Sequence, residues 1–252
     1  MNAEEFRNIR RTERQFWWFR GMRKIAFLWL DPLLRSSHTI HHAVEAGCGT
    51  GGFALQFERR YGVTLAGLDL EPEGLRHAAS LGLKQLVAGD IRALPFESGS
   101  VDLLVSLDVV VHLERGTEHL AFDEFLRVLK PGGSLLIRVS AMDALRSRHS
   151  TFTWERQRFT RKRLCQGLER AGFEVRRISY FNFFLAPVAW LKFRIWEPLT
   201  AAPPASGLEM PPRWLNTLFE KCLQAECWLS KHGVDLPFGQ SLLCCATRRK
   251  VR

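Results

Sequence analysis

This 252-residue chain lacks several signatures that would assign it quickly. None of its six cysteines, Cys48, Cys165, Cys222, Cys227, Cys244 and Cys245, forms a Cys-x-x-Cys pair, and no Cys/His cluster has zinc spacing. That excludes a zinc-finger or thioredoxin-like motif, leaves no metal site expected, and points to free thiols in a reducing cytoplasm. No apolar run reaches the roughly 18 residues a spanning helix needs. The nearest, 181–196, is interrupted by Pro187, Lys192 and Arg194. The opening Met-Asn-Ala-Glu-Glu is acidic and then arginine-rich, unlike a secretory signal. No internal repeat is visible.

Acidic residues are also scarce relative to basic ones. Lys and Arg total 36 against 26 Asp and Glu, a net charge of +10. Such a balance suits acidic partners: phosphates, nucleic acid or a membrane surface. A hydrophobic fraction of 46% is that of a globular chain, and the length fits one α/β domain with an insertion.

The most informative stretch is Val44-Glu-Ala-Gly-Cys-Gly-Thr-Gly-Gly-Phe53. A short run from Thr39 to Val44 reads as a strand and Gly52–Tyr61 as a helix. The glycines between them let the backbone approach a ligand closely, and a helix start offers unpaired N–H groups to a polar or anionic group. Gly47-x-Gly49-x-x-Gly52, with Asp69 about 20 residues on, also fits a dinucleotide fingerprint.

Strands and helices then alternate: strands at 40–46, 63–69, 84–88, 101–107 and 134–139, with helices at 52–60, 72–81 and 117–129. A helix at 160–171 leads to a strand at 174–180, and a last strand is expected at 241–247. This order predicts a parallel sheet with helices on both faces. Residues 3–30 read as one helix ending near Asp31-Pro32. Between 181 and 237, helices near 184–197 and 213–231 flank a proline-rich stretch.

Four features follow one another: Glu45 before the glycine turn, Asp69 closing the second strand, Gly89-Asp90-Ile91 after the third, and Leu129-Lys-Pro-Gly-Gly-Ser-Leu-Leu-Ile137. Together they resemble the class I S-adenosylmethionine-dependent methyltransferases. Glu13-Arg-Gln-Phe-Trp-Trp-Phe-Arg-Gly-Met-Arg23, Arg158-Phe-Thr-Arg161 and Leu236-Pro-Phe-Gly-Gln-Ser-Leu242 are similar to a bacterial type 11 or type 23-like subgroup. The chain departs from that subgroup where Ser150 and Glu155 stand in place of an Asp and a His.

The resemblance implies a Rossmann-like sheet whose last strand is antiparallel, between strands five and six. It implies a single methyltransferase domain over 1–252: an N-terminal helical segment (1–38), a cofactor-binding core (39–180), a cap insertion (181–237), and the last strand with its tail (238–252). The cofactor implied is S-adenosyl-L-methionine, with S-adenosyl-L-homocysteine as product. Gly47 and Gly49 would pass beside its amino-acid end and ribose, and Glu45 would anchor the loop or accept from the ammonium. Asp69 would accept the ribose hydroxyls, Leu70 would pack on adenine, and Asp90 with the Ile91 amide would meet the adenine edge. Leu107 ends strand four near the methyl donor. Arg20 and Arg23 would meet the cofactor carboxylate or an acidic substrate, and Trp17 or Trp18 would close over the sulfonium.

Methyl transfer requires a base only where the acceptor must lose a proton early. His112, after strand four, and His149, after strand five, are the candidates; Tyr180 and Asn182 are candidate pocket residues. The expected reaction is methylation of an O or N atom on a small-molecule, glycan or lipid-linked acceptor. Two alternatives stand beside it. One is RNA or DNA methylation, favoured by Arg156, Arg158, Arg161, Lys162 and Arg163, though no nucleic-acid-binding module and no Asn/Asp-Pro-Pro-aromatic tetrapeptide is found. The other is a non-catalytic, cofactor-binding partner protein with an interface at Trp190, Trp196, Trp214 and Trp228. Membrane-surface contact along 181–196 is a further expectation.

Overall fold

The computed structural model describes residues 3–36, 40–200 and 203–250. Thr39, expected to head the first strand, lies outside them, as do the first and last two residues of the chain. Seven strands form one sheet: β1 (Ala43–Ala46), β2 (Leu65–Asp69), β3 (Leu86–Ala88), β4 (Val101–Leu107), β5 (Leu129–Ser140), β6 (Phe173–Phe181) and β7 (Ser241–Arg248). Their order is β3-β2-β1-β4-β5-β7-β6. Strands β1 to β5 pair in parallel, and β7 runs antiparallel between β5 and β6.

The helices are α1 (Ala3–Thr12), α2 (Trp17–Ser36), α3 (Gly52–Tyr61), α4 (Pro72–Ser80), α5 (Glu118–Val128), α6 (Arg148–Phe152), α7 (Arg161–Ala171), α8 (Ala186–Leu191), α9 (Glu197–Thr200) and α10 (Arg213–Lys231). Both faces of the sheet are covered. On one, Phe122 and Phe125 of α5 and Leu164 and Leu168 of α7 meet β4, β5 and β7. On the other, Ile25 and Leu30 of α2, Phe57 of α3 and Leu223 of α10 pack against Leu65, Leu103 and Leu136. Burial on both faces explains why the strands read as apolar runs rather than alternating ones. The chain reverses its direction of sheet growth between β1 and β4, and in such sheets that switch opens a crevice at the carboxyl ends of the strands.

Three local expectations are corrected. Residues 3–30 are two helices, with a break at 13–16 that turns the chain between α1 and α2. Asp31-Pro32 does not end α2, because Pro32 lies inside it. The hydrogen bond a proline forfeits is outweighed by packing: Ile25 and Leu30 are buried before it, and Leu33 and Leu34 join the same cluster after it. The third is the cap helix. After α8 the chain continues through a π-helical stretch, Lys192–Trp196, in which the Glu197 N–H reaches back to the Lys192 carbonyl, and then into α9.

The insertion also divides its labour. Its first part rims the crevice, whereas α10 docks along α2. Gly21 makes that close approach feasible, since a methyl added there would stand 2.3 Å from Leu223 Cδ1. Trp29 Nε1 donates to Ser230 Oγ at 2.9 Å, and Lys24 pairs with Glu220 at 2.8 Å.

Candidate active site

A cavity of about 1440 Å³ opens over the carboxyl ends of the strands. Twelve of the candidate site residues line it: Glu45, Gly47, Gly49, Asp69, Leu70, Asp90, Ile91, Leu107, Trp18, Arg23, His112 and His149. Tyr180 and Asn182 do not. The Tyr180 hydroxyl accepts from the Arg161 N–H, and the Asn182 amide donates to Gln240, so both brace loops.

The glycine turn is fastened to the second strand. The N–H groups of Gly47 and Cys48 both donate to the Leu68 carbonyl, at 2.7 and 2.8 Å. Gly47 has φ +89°, and a methyl there would meet Val109 Cγ2 at 2.1 Å. The position therefore demands glycine twice over, by conformation and by space. Asp69 ties the turn from below: its Oδ2 accepts from Gly49 N–H at 2.7 Å and its Oδ1 from Glu71 N–H at 2.9 Å. Each oxygen keeps a lone pair for a further donor. Burial pushes the Asp69 carboxyl upward, against the pull of those two amides.

Glu45 is the most unusual group. It is 2% exposed, and its Oε2 has no hydrogen-bond partner among the described residues. Burial and then the nearby Asp69 charge push its carboxyl well above the usual range, opposed by Arg138. A buried polar atom without a partner costs free energy, so this oxygen waits for a donor. Arg138, 7% exposed on β5, donates from Nε to Asp108 Oδ2 at 2.8 Å and lies 4.8 Å from the centre of the Trp18 ring. One cation thus already stands against Trp18.

The break between α1 and α2 brings Glu13 over the turn. It accepts from Thr50 Oγ1 at 2.6 Å, burial raises its carboxyl, and Arg23 opposes that rise. Arg23 therefore has Glu13 as a charge partner within the protein. At the far end of β3, both oxygens of Asp90 accept from Arg92, which holds the Asp90 carboxyl below its ordinary value. Leu70 is exposed at the rim, while Ile91 is buried.

The two histidines differ in tautomer. His112 Nδ1 lies 3.3 Å from the Trp154 carbonyl. A carbonyl can only accept, so this contact puts the proton on Nδ1 and leaves the Nε2 lone pair for another hydrogen. His149 Nδ1 instead accepts from the Gly207 N–H at 3.0 Å, which puts its proton on Nε2. Burial lowers the pKa of both rings, so both are neutral at neutral pH. His112 is thus prepared to take a proton, and His149 to donate a hydrogen bond.

Glu13 and Arg138 complete the site beside Asp108, the residue that follows strand four; neither Glu13 nor Arg138 was among the expected site residues. Arg138 did leave a trace, as the one charge in the apolar run Leu135-Leu-Ile-Arg-Val139.

Residues 44–137 match the family described as a methyltransferase domain. The chain is 29% identical over 121 residues to norajmaline N-methyltransferase of Rauvolfia serpentina, covering 45% of this chain and 39% of that protein. It is 33% identical over 134 residues to malonyl-[acyl-carrier protein] O-methyltransferase 1 of Coxiella burnetii, covering 53% and 43%. The chain thus spans about two fifths of the length of these curated relatives. Among solved structures, a SAM-dependent methyltransferase from Thermotoga maritima superposes with a TM-score of 0.57 at 15% identity, covering 98% of this chain and 96% of that one. At that identity the likeness speaks for the fold alone.

Proposed function

We propose that this chain, whose residues 44–137 match the methyltransferase-domain family, is a class I S-adenosylmethionine-dependent enzyme that methylates an oxygen or nitrogen atom of a small-molecule, glycan or lipid-linked acceptor. The unpartnered Glu45 oxygen carries this proposal. A buried carboxylate beside a glycine turn suits a cationic ammonium, which the amino-acid end of the cofactor presents; a nicotinamide dinucleotide has none. Asp69 would hold the ribose diol, Leu70 and Ile91 would flank the adenine, and Glu13 would fix the turn through Thr50. Asp90 would meet the adenine amino group by giving up part of its contact with Arg92, because each of its oxygens already accepts twice from that residue. When bound, the cofactor supplies a methyl group activated on a sulfonium.

The cavity has room for more than this ligand, since a site for one small molecule is about 300–1,000 Å³. Its outer part is walled by Trp154, Val188, Phe193, Trp196, Met210 and Phe219, which suits an acceptor with an apolar body. The nucleic-acid alternative loses support because three of its five cations are engaged internally, with Arg156 and Lys162 left exposed. Arg158 pairs with the half-buried Glu155 at 2.6 Å, Arg163 pairs with Glu118, and Arg161 donates to the Leu236 carbonyl.

Calorimetry with S-adenosylhomocysteine tests the cofactor assignment. Saturable binding is expected, with none for NAD; the reverse outcome would remove the proposal.

The role of His112 is to receive the acceptor proton at Nε2. Replacing it with alanine is expected to lower kcat by about 10²-fold or more, with cofactor affinity unchanged. Because burial lowers the imidazole pKa from its ordinary 6.5, the wild-type rate should rise with pH to an inflection below that value and stay level through neutrality. Full activity of His112→Ala, or an inflection that persists in it, would exclude His112 as the base.

A further inference from the structure

We infer that the outer face of the cap is a docking surface for an anionic lipid bilayer, and that the acceptor enters the cavity from that bilayer; the second half of this inference rests on the methyl-transfer proposal. The segment from 184 to 200 carries two apolar rows. The inward row, Ala186, Ala189 and Phe193, turns toward the protein, with both alanines buried. The outward row is Phe184, Val188, Leu191, Ile195 and Leu199, recurring at helical spacing and 44–77% exposed. A globular helix ordinarily gives water its polar side; here five large apolar side chains take that place. Trp190 and Trp196 are exposed beside them. On α10, Trp214 and Leu218 are exposed one turn apart. Tryptophan pairs an apolar body with a polar N–H and is suited to the boundary between headgroups and acyl chains.

The charge pattern selects the occupant. Lys192 and Arg194 flank the outward row, Arg194 also donating to the Asp143 and Ala144 carbonyls. On α10 the exposed charges are Arg213, Lys221 and Lys231, while its two acids, Glu220 and Glu226, turn inward and are buried. Glu197 is half-buried and accepts from the Arg148 N–H. Glu209 is an exposed acid in the connecting segment and the exception to the pattern. An apolar stripe fringed by cations matches anionic headgroups over acyl chains. A second copy of this chain, itself at +10, would set like charges against one another.

Continuity with the site gives the surface its purpose. Val188 and Trp196 are exposed and also line the cavity, as do Lys192 and Met210. The cavity mouth therefore opens at the docking face, so an acceptor with a lipid tail can pass from the bilayer to the methyl donor without crossing water.

The test uses the full chain and sedimentation with vesicles of phosphatidylcholine mixed with phosphatidylglycerol, or of phosphatidylcholine alone. Binding to the mixed vesicles is expected, weakening as salt is raised. The double variant Leu191→Glu, Ile195→Glu alters exposed side chains that do not line the cavity. It is expected to lose roughly tenfold or more of that partitioning, with S-adenosylhomocysteine affinity and melting temperature unchanged. Absence of binding to the mixed vesicles, or equal binding by the variant, would overturn the inference. So would self-association of the wild type that the variant abolishes, since the stripe would then serve a second copy. The calorimetric readout keeps a failure here separate from a failure of the cofactor assignment.

Discussion

Glu45→Gln is expected to bind S-adenosylhomocysteine far more weakly while making the ligand-free protein harder to melt. The two effects have one origin. Glu45 is buried beside Asp69 with one oxygen unpartnered, and its carboxyl titrates well above the ordinary 4.5. In the unfolded chain it ionises near the ordinary value. As pH rises past that value, the unfolded state releases a proton that the folded state retains, so folding stability contributed by this group falls with pH until the folded carboxyl ionises too. Glutamine cannot ionise, so the variant's melting temperature should depend less on pH above 4.5 and exceed that of the wild type at neutral pH. With ligand the order reverses. A charge-assisted bond to an ammonium contributes about 1.5–3 kcal/mol, so its loss weakens affinity by roughly ten- to hundredfold. Ligand binding to the wild type should also release protons, measurable as a buffer dependence of the calorimetric heat. Unchanged affinity together with an unchanged melting temperature would sink the assignment of Glu45 to the ammonium.

Asp69→Ala is expected to be the most damaging single change to cofactor binding. Its two oxygens hold Gly49 and Glu71 and are the acceptors assigned to the ribose diol. Removing them loses two charge-assisted bonds to ligand, about 3 kcal/mol or more in total, and affinity should fall more than about a hundredfold. The turn itself also loosens, so the melting temperature should drop even without ligand. Asp69→Asn separates these contributions. Its amide retains one oxygen for the Gly49 N–H but turns the other acceptor into a donor, so it should keep much of the stability and still bind poorly. Wild-type affinity in Asp69→Ala would refute the ribose assignment.

The parts of the site that were legible in sequence share a local cause. Gly47, Gly49 and Asp69 belong to strand ends and turns whose chemistry is written in adjacent residues, and the order of such ends fixes where they gather. Glu13 was not legible as a site residue. It reaches Thr50 only because the expected single helix is broken at 13–16, and at a separation of 37 positions the sequence carries no local signal of the contact. Pro32 misled in the opposite sense: a local rule ended the helix, and packing against the sheet continued it. The distinction between His112 and His149 could not be read either. It is set by the Trp154 carbonyl and the Gly207 N–H, 42 and 58 positions away. Pairing of β7 between β5 and β6 agreed with what the resemblance implied.

The clasp between α2 and α10 has a consequence for biosynthesis. Trp17 N–H meets Asn216 Oδ1 and Trp29 meets Ser230 across separations of 199 and 201 residues. Contacts so distant along the chain are slow to form, and on the ribosome they cannot form until the second partner has left the exit tunnel. Strands β1, β2 and β4, which floor the crevice, are therefore synthesised well before α10, the helix that pins α2 in place. Tight capture of the cofactor is therefore expected only once α10 has left the ribosome.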